Sequence, residues 1–215
     1  MGLTKPIEQI CNLLIEQIKI VSKRYYTRGN VEMKFVEPIR DVEKIKDIEL
    51  YLQKKHGEKM RIMFLTGIYT GLRVSDILKL RVRDVKGKSR ISIKEQKTGK
   101  ERIIAINPVL KKAYSEYCKE KENYEALIPT ERSTGISLSR TYAWRILHEA
   151  GKQFGIDSLG THSMRKTFGY HFYLQTQDTA ILQKIFNHSS EGITLRYIGI
   201  DQKRVEDVML NFKYK

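Results

Sequence analysis

Between residues 81 and 107 the spacing of the apolar residues changes, and this constrains the fold more than any other feature. Val82, Val85, Ile91, Ile93, Ile103, Ile104 and Ile106 are β-branched and partly alternating, the pattern of short, half-buried strands. Thr98-Gly99 falls between two of these runs, where a hairpin turn belongs. On either side the period returns to that of helix. The expectation is an α+β chain, mostly helical, interrupted by a small antiparallel sheet of three strands.

The helical segments can be placed in order. Residues 6–28 carry Ile7, Ile10, Cys11, Leu14, Ile18 and Val21 at steps of mostly three and four, with Thr4 and Pro6 at the start and Gly29-Asn30 at the end. Pro38 follows a short loop-like stretch, so residues 1–37 read as a helical arm and 38–215 as the main domain. Arg40–Lys55 has Val42, Ile45, Ile48 and Leu52 as its apolar stripe. Within Glu58–Leu80, IMFLTGIYTGL reads as a buried helix and VSDILKL as the start of another, with Ser75-Asp76 as its cap. Pro108–Glu122, Leu138–Phe154, Thr161–Gln175, Thr179–Phe186, Ile193–Ile198 and Asp201–Phe212 complete the set. Trp144, Phe168, Tyr170 and Phe172 read as packing residues, Trp144 at the edge of the face formed by Ala143, Ile146, Leu147 and Ala150.

Charge narrows the function. The 215 residues hold 40 Lys and Arg against 25 Asp and Glu, a net charge of +15. The excess lies in the main domain, where 34 basic residues face 21 acidic ones. A domain this basic most often meets a polyanion, and nucleic acid is the commonest. The longest uncharged runs, Ile62–Leu72 and Thr167–Gln177, are eleven residues each, too short to span a bilayer. The N-terminus lacks the apolar core of a signal peptide. Cys11 and Cys118 stand far apart with no second ligand at metal spacing, as reduced cytosolic thiols do. No HExxH occurs. Gly99-Lys100 is not a phosphate-binding loop, because Lys94 and Glu101 occupy its Gly and Ser/Thr positions.

Six residues are unremarkable singly and informative together. Arg73 follows Gly71-Leu72 at a helix junction, and Lys97 precedes the Thr98-Gly99 turn. His162 and Arg165 are three apart, on one helix face. His188 lies at a helix end, and Tyr197 follows it by nine positions. Attack on a DNA phosphodiester requires a nucleophile, a proton donor for the leaving oxygen and positive groups around the phosphorus. A phenol serves as nucleophile once its proton is removed. Two guanidiniums grip non-bridging oxygens with forked donors that lysine lacks. Two imidazoles exchange protons or donate hydrogen bonds near neutral pH. Neither a metal nor another cofactor is needed, since the cations are side chains.

The sequence resembles the tyrosine recombinases, the phage-integrase family, over roughly residues 36–212. TGIYTGLRVSDILKLRVRDV resembles the first arginine block of that family and ISIKEQKTGKERIIAIN its lysine-bearing strand–turn–strand. GTHSMRKTFGYHFY resembles its His-x-x-Arg helix, and LQKIFNHSS followed by TLRYIGI its last histidine and its tyrosine. The resemblance implies the tyrosine-recombinase catalytic fold. It makes Tyr197 the nucleophile of a 3′-phosphotyrosine link, and Arg73 and Arg165 the phosphate clamp. His162 accepts the phenol proton, Lys97 protonates the leaving 5′-oxygen and His188 hydrogen-bonds the phosphate. Lys100, Ser139, Arg140, Arg145 and Lys166 are expected at the DNA.

Three positions depart from the family pattern: Asn187 for Gly, Met164 for Leu and Lys166 for a common His. A larger departure is the short N-terminal stretch, where most relatives carry a separate DNA-clamping domain. That resembles the catalytic-domain-only members such as bacterial inversion recombinases, or a fragment of a longer chain. The implied function is cutting and rejoining of double-stranded DNA in the cytoplasm for integration, excision or inversion. The implied assembly is four protomers on two DNA sites, or a monomer in isolation, with no membrane partner. Two other readings stay open at this point: a DNA-binding regulator that keeps the fold, and a topoisomerase-like relaxing enzyme.

Overall fold

The structure, a computed structural model, describes residues 36–94, 99, 101–200 and 209–213. The expected arm helix over 6–28, the turn residues Lys97 and Lys100, and most of the expected last helix lie outside them. Val36–Lys215 form one compact unit. No described helix is long and apolar enough to cross a membrane.

Local capping sets the first elements. The Asp41 carboxylate accepts from the Glu43 N–H (2.9 Å) at the start of α1 (Val42–His56). Ile48 and Leu52 bury its inner face, while Val42, expected on that stripe, is exposed. Helix α2 (Glu58–Thr70) takes the uncharged run into the core, burying Met60, Met63, Phe64 and Leu65. It ends at Gly71, whose left-handed φ of 63° suits glycine. The chain re-enters helix at once in α3 (Val74–Ile77), with Arg73 as N-cap. Ser75 and Asp76 therefore lie inside this helix and do not cap it.

Among the described residues the sheet has two strands, not the three expected. Antiparallel β1 (Arg90–Lys94) and β2 (Glu101–Ala105) pair with Ile91 opposite Ile104 and Ile93 opposite Arg102. The missing strand is the one-turn helix α4 (Val82–Val85). Val82 and Val85 are three apart, so one helical turn buries both. The Asp84 carboxylate fixes that turn by accepting from the Arg81 N–H (2.8 Å).

Helix α5 (Pro108–Tyr117) is capped by Asn107, which accepts from the Leu110 N–H (2.8 Å). Helix α6 (Arg140–Gln153) buries Ala143, Ile146, Leu147 and Ala150 as expected. Trp144 is not core: it is 47% exposed and stacks on His148 with ring centroids 4.9 Å apart. One residue beyond Ala143 turns about 100° around the helix, which carries Trp144 off the buried face. Helices α7 (Thr161–Thr176), α8 (Thr179–Phe186) and α9 (Glu191–Ile198) complete the described elements.

Two apolar clusters result. The larger joins α1 to α6 and β1, and takes in Met164 from α7. The smaller holds Tyr170, Tyr173, Leu182, Phe186, Ile198 and Ile200, with Tyr197 at its rim. Helix α7 contributes to both.

Candidate active site

The seam between these clusters gathers the residues singled out in the sequence. Gly71 brings the α2–α3 junction against α7; a Cβ there would stand 2.5 Å from Phe168 Cδ1. The Gly71 carbonyl in turn accepts from Arg165 Nη1, and the Phe186 carbonyl from Arg165 Nη2 at 3.0 Å. Arg165 is 2% exposed, and its guanidinium lies 4.3 Å from the Phe186 ring centroid. A buried guanidinium tied to two carbonyls has a fixed direction. Its charge also acts on the Tyr197 phenol.

Tyr197 lies near the end of α9, with its ring steeply inclined to Phe186 (5.4 Å, 73°) and His188 (5.1 Å, 70°). Gly169 permits this closure: a Cβ there would lie 2.6 Å from Ile198 Cγ2 and 2.7 Å from Phe186 Cε2. His188 follows Asn187, which ends α8 at φ 53° and ψ 48°. Asparagine is the residue after glycine that best tolerates this left-handed conformation, so the departure from Gly keeps the turn that presents His188. The His188 Nδ1 shares a 3.1 Å hydrogen bond with Thr194 Oγ1, whose hydroxyl also donates to the Ser190 carbonyl (3.2 Å). The ring is thus held by Nδ1, and Nε2 is its other polar atom.

The electrostatics follow from this packing. Burial pushes the Tyr197 phenol above its ordinary range, while Arg165 and Arg73 pull it back. His188 is held below the usual imidazole value by burial, then by Arg165 and Arg73. His162, on the open first turn of α7, is also held low. Desolvation against the protein body leads there, followed by the charges of Arg140, Arg165, Lys166 and Arg73. Arg73 and Arg165 thus act on both imidazoles and the phenol. Two neutral imidazoles and a phenol surrounded by cations form an anion site.

Arg73, His162, Arg165, His188 and Tyr197 come together; Lys97 and Lys100 are outside the described residues. Of the residues expected at DNA, Arg140 and Arg145 are exposed on α6, with the Arg145 guanidinium 4.7 Å from the Tyr142 ring centroid. Ser139 is the N-cap of α6, its hydroxyl accepting from the Tyr142 N–H (3.2 Å). Lys166 is not on the surface: it is 5% exposed, with Nζ 5.0 Å from the Tyr197 ring centroid. Burial draws its ammonium down to about 8, against the opposing pull of the Glu37 carboxylate. Sequence reasoning missed Thr194 and the carbonyls that anchor Arg165. Thr194 stands three residues before Tyr197, a spacing that places both on one helix face. The carbonyls belong to the main chain and leave no mark on residue identity.

This fold and these side chains define a catalytic domain of the tyrosine-recombinase type. The profile of the phage integrase family matches residues 39–204, and the chain belongs to that family. It is 47% identical over 170 residues to a probable integrase/recombinase, YoeC, of Bacillus subtilis, covering 79% of this chain and 93% of that protein. It is 27% identical to the tyrosine recombinase XerA of Pyrococcus furiosus over 75% of this chain, and spans 57% of that recombinase. Among solved structures, the XerH site-specific recombinase bound to difH substrate superposes with a TM-score of 0.62 at 20% identity. That match covers 86% of this chain and 57% of that one, and it carries the fold.

Proposed function

We propose that this chain is a site-specific DNA recombinase that cuts and rejoins duplex DNA through a 3′-phosphotyrosine link, for integration, excision or inversion. The observation that carries the reading is the seating of buried Arg165, tied to two carbonyls over the Phe186 ring, against which Tyr197 also packs, with Arg165 and Arg73 both acting on the Tyr197 phenol. A phenol meets two guanidiniums where phosphate and nucleophile must coincide. The basic main domain and the family membership support DNA as the substrate.

In the forward step the Tyr197 oxygen forms a bond to the scissile phosphorus, and the bond to the 5′-oxygen breaks. The phenol proton passes to His162, whose lowered affinity for protons keeps it neutral and able to accept. Arg73 and Arg165 bind the non-bridging oxygens, and their preorganised donors offset the charge that develops there. His188, held by Thr194 through Nδ1, turns Nε2 toward the phosphate, whose negative charge favours the protonated ring that can donate there. Lys97 supplies the proton taken up by the 5′-oxygen. In the return step a 5′-hydroxyl attacks the phosphotyrosine; the bond energy is conserved, so no cofactor or nucleotide is consumed. Lys100, Ser139, Arg140 and Arg145 bear on the surrounding DNA, and Lys166 leaves that set because it is buried. Residues 38–215 are the catalytic domain and 1–37 an arm. Four protomers act on two DNA sites, in the cytoplasm.

The test is a nicked duplex on which cleavage releases a short fragment and traps the covalent adduct. Wild type yields a protein–DNA band on a denaturing gel. Tyr197→Phe binds the same duplex with unchanged affinity and yields none. An adduct persisting in that variant moves the nucleophile elsewhere. Specific binding without any wild-type adduct leaves the DNA-binding regulator.

A further inference from the structure

Lys166 is a buried charged side chain beside the nucleophile that this mechanism leaves unused. It follows Arg165 on α7, and its Nζ lies over the face of the Tyr197 ring, 5.0 Å from the centroid. Charged and titratable groups act on it from three elements: Glu37 on the segment entering the domain, itself paired with Arg40 at 3.6 Å, Tyr197 on α9, and His162 on its own helix. That entering segment is itself docked here. The Ile39 N–H donates to Thr167 Oγ1 at 2.8 Å, and Arg40 Nη2 to the Gly199 carbonyl at 3.4 Å, just beyond α9.

A buried ammonium costs free energy that a methionine of similar length in the same space would not. Stability of the domain therefore gives no reason for lysine at this position. Its seat against the nucleophile gives one, because a desolvated cation is drawn to an aromatic face. We propose that Lys166 is a positioning residue: its ammonium, buried over the Tyr197 ring, fixes the ring so that the phenol oxygen stays beside Arg165. The proposal rests on Tyr197 being the nucleophile. Lys166 acts on the ring and through it on the phenol.

The experiment uses the full chain and a nicked duplex bearing the sequence that wild type selects from random-sequence DNA. Single-turnover adduct formation is followed for wild type, Lys166→Met, Lys166→Gln and Lys166→Arg. Lys166→Met is expected to bind DNA as wild type does, to melt at the wild-type temperature or above, and to cleave about 10–100-fold more slowly, the scale of a nucleophile misplaced by about 1 Å. Lys166→Arg, which keeps the cation, recovers most of the rate. On a 5′-bridging phosphorothiolate, whose leaving group needs no proton, Lys166→Met loses the same factor. Should Lys166→Met unfold, Lys166→Gln against Lys166→Arg carries the comparison. A wild-type rate without the cation, or an Arg variant no faster than the uncharged ones, overturns the proposal. Recovery on the phosphorothiolate also overturns it, making Lys166 the acid. Absence of a wild-type adduct overturns the recombinase reading and this proposal together, whereas the other failures leave that reading standing.

Discussion

At the scale of single residues, the site is organised by how deeply each cation is buried. Arg165 is held by two carbonyls and points one way, whereas Arg73 is half-buried at a helix start. Lys166 has a consequence for stability that is separate from cleavage. Its proton affinity falls from 10.5 in the unfolded chain to about 8 in the folded one. Above about pH 10.5 neither state holds the proton and no penalty arises. As pH falls through about 8 the folded state is forced to bury the charge, and the penalty is then complete. Stability therefore rises with pH between these values, by up to about 1.4 kcal/mol per pH unit from this group. Urea unfolding at pH 8 and pH 10 measures the rise, and Lys166→Met is expected to flatten it. An unchanged slope in that variant would place the titration elsewhere.

At the scale of elements, the site depends on α7, α8 and α9 approaching closely, and Gly169 sets that distance. Gly169→Ala puts a methyl group 2.6 Å from Ile198 Cγ2 and 2.7 Å from Phe186 Cε2. The expected cost is about 1–3 kcal/mol, as for other overpacked cores, read as a lower melting temperature. Because the strain falls on the helix carrying Tyr197, cleavage should fall further than DNA binding, which is proposed to use exposed residues of α6. Equal losses in both would mean that α9 does not move independently. Most helices were legible because they carry their own period, and several also carry a capping side chain, as Asp41, Asn107 and Ser139 show. The supposed third strand was not: Val82 and Val85 suit a strand or a helical turn equally, and the Asp84 carboxylate on the Arg81 N–H decided between them. Trp144 misled in the same way, since its size says core while its angle around α6 turns it outward.

At the scale of the whole molecule, the two apolar clusters of the described residues reach as far as Ile200, which is itself buried. Beyond it, Met209, Leu210 and Phe212 are exposed. A chain ending after Ile200 is therefore expected to keep its circular-dichroism spectrum and bind a one-site duplex. If the last segment docks on a neighbouring protomer, as the proposed assembly requires, this truncated chain forms no two-site complex in a gel-shift assay. Loss of the folded spectrum would assign that segment to its own domain's core.

By itself the sequence determined the helical character, the basic surface and the identity of five residues that meet at one seam. Those properties are written in side-chain type and spacing: periodicity is local, charge is additive, and guanidinium, imidazole and phenol carry their chemistry wherever they are placed. The tertiary structure alone decided which cations are buried and what each one faces. Lys166 looked like a DNA contact because lysines are usually exposed, and adjacent helical positions point in different directions. Here the direction after Arg165 leads into the protein, onto the ring of Tyr197 some thirty positions later in the chain. That neighbour comes from long-range packing of α7 on α9, which no local pattern encodes.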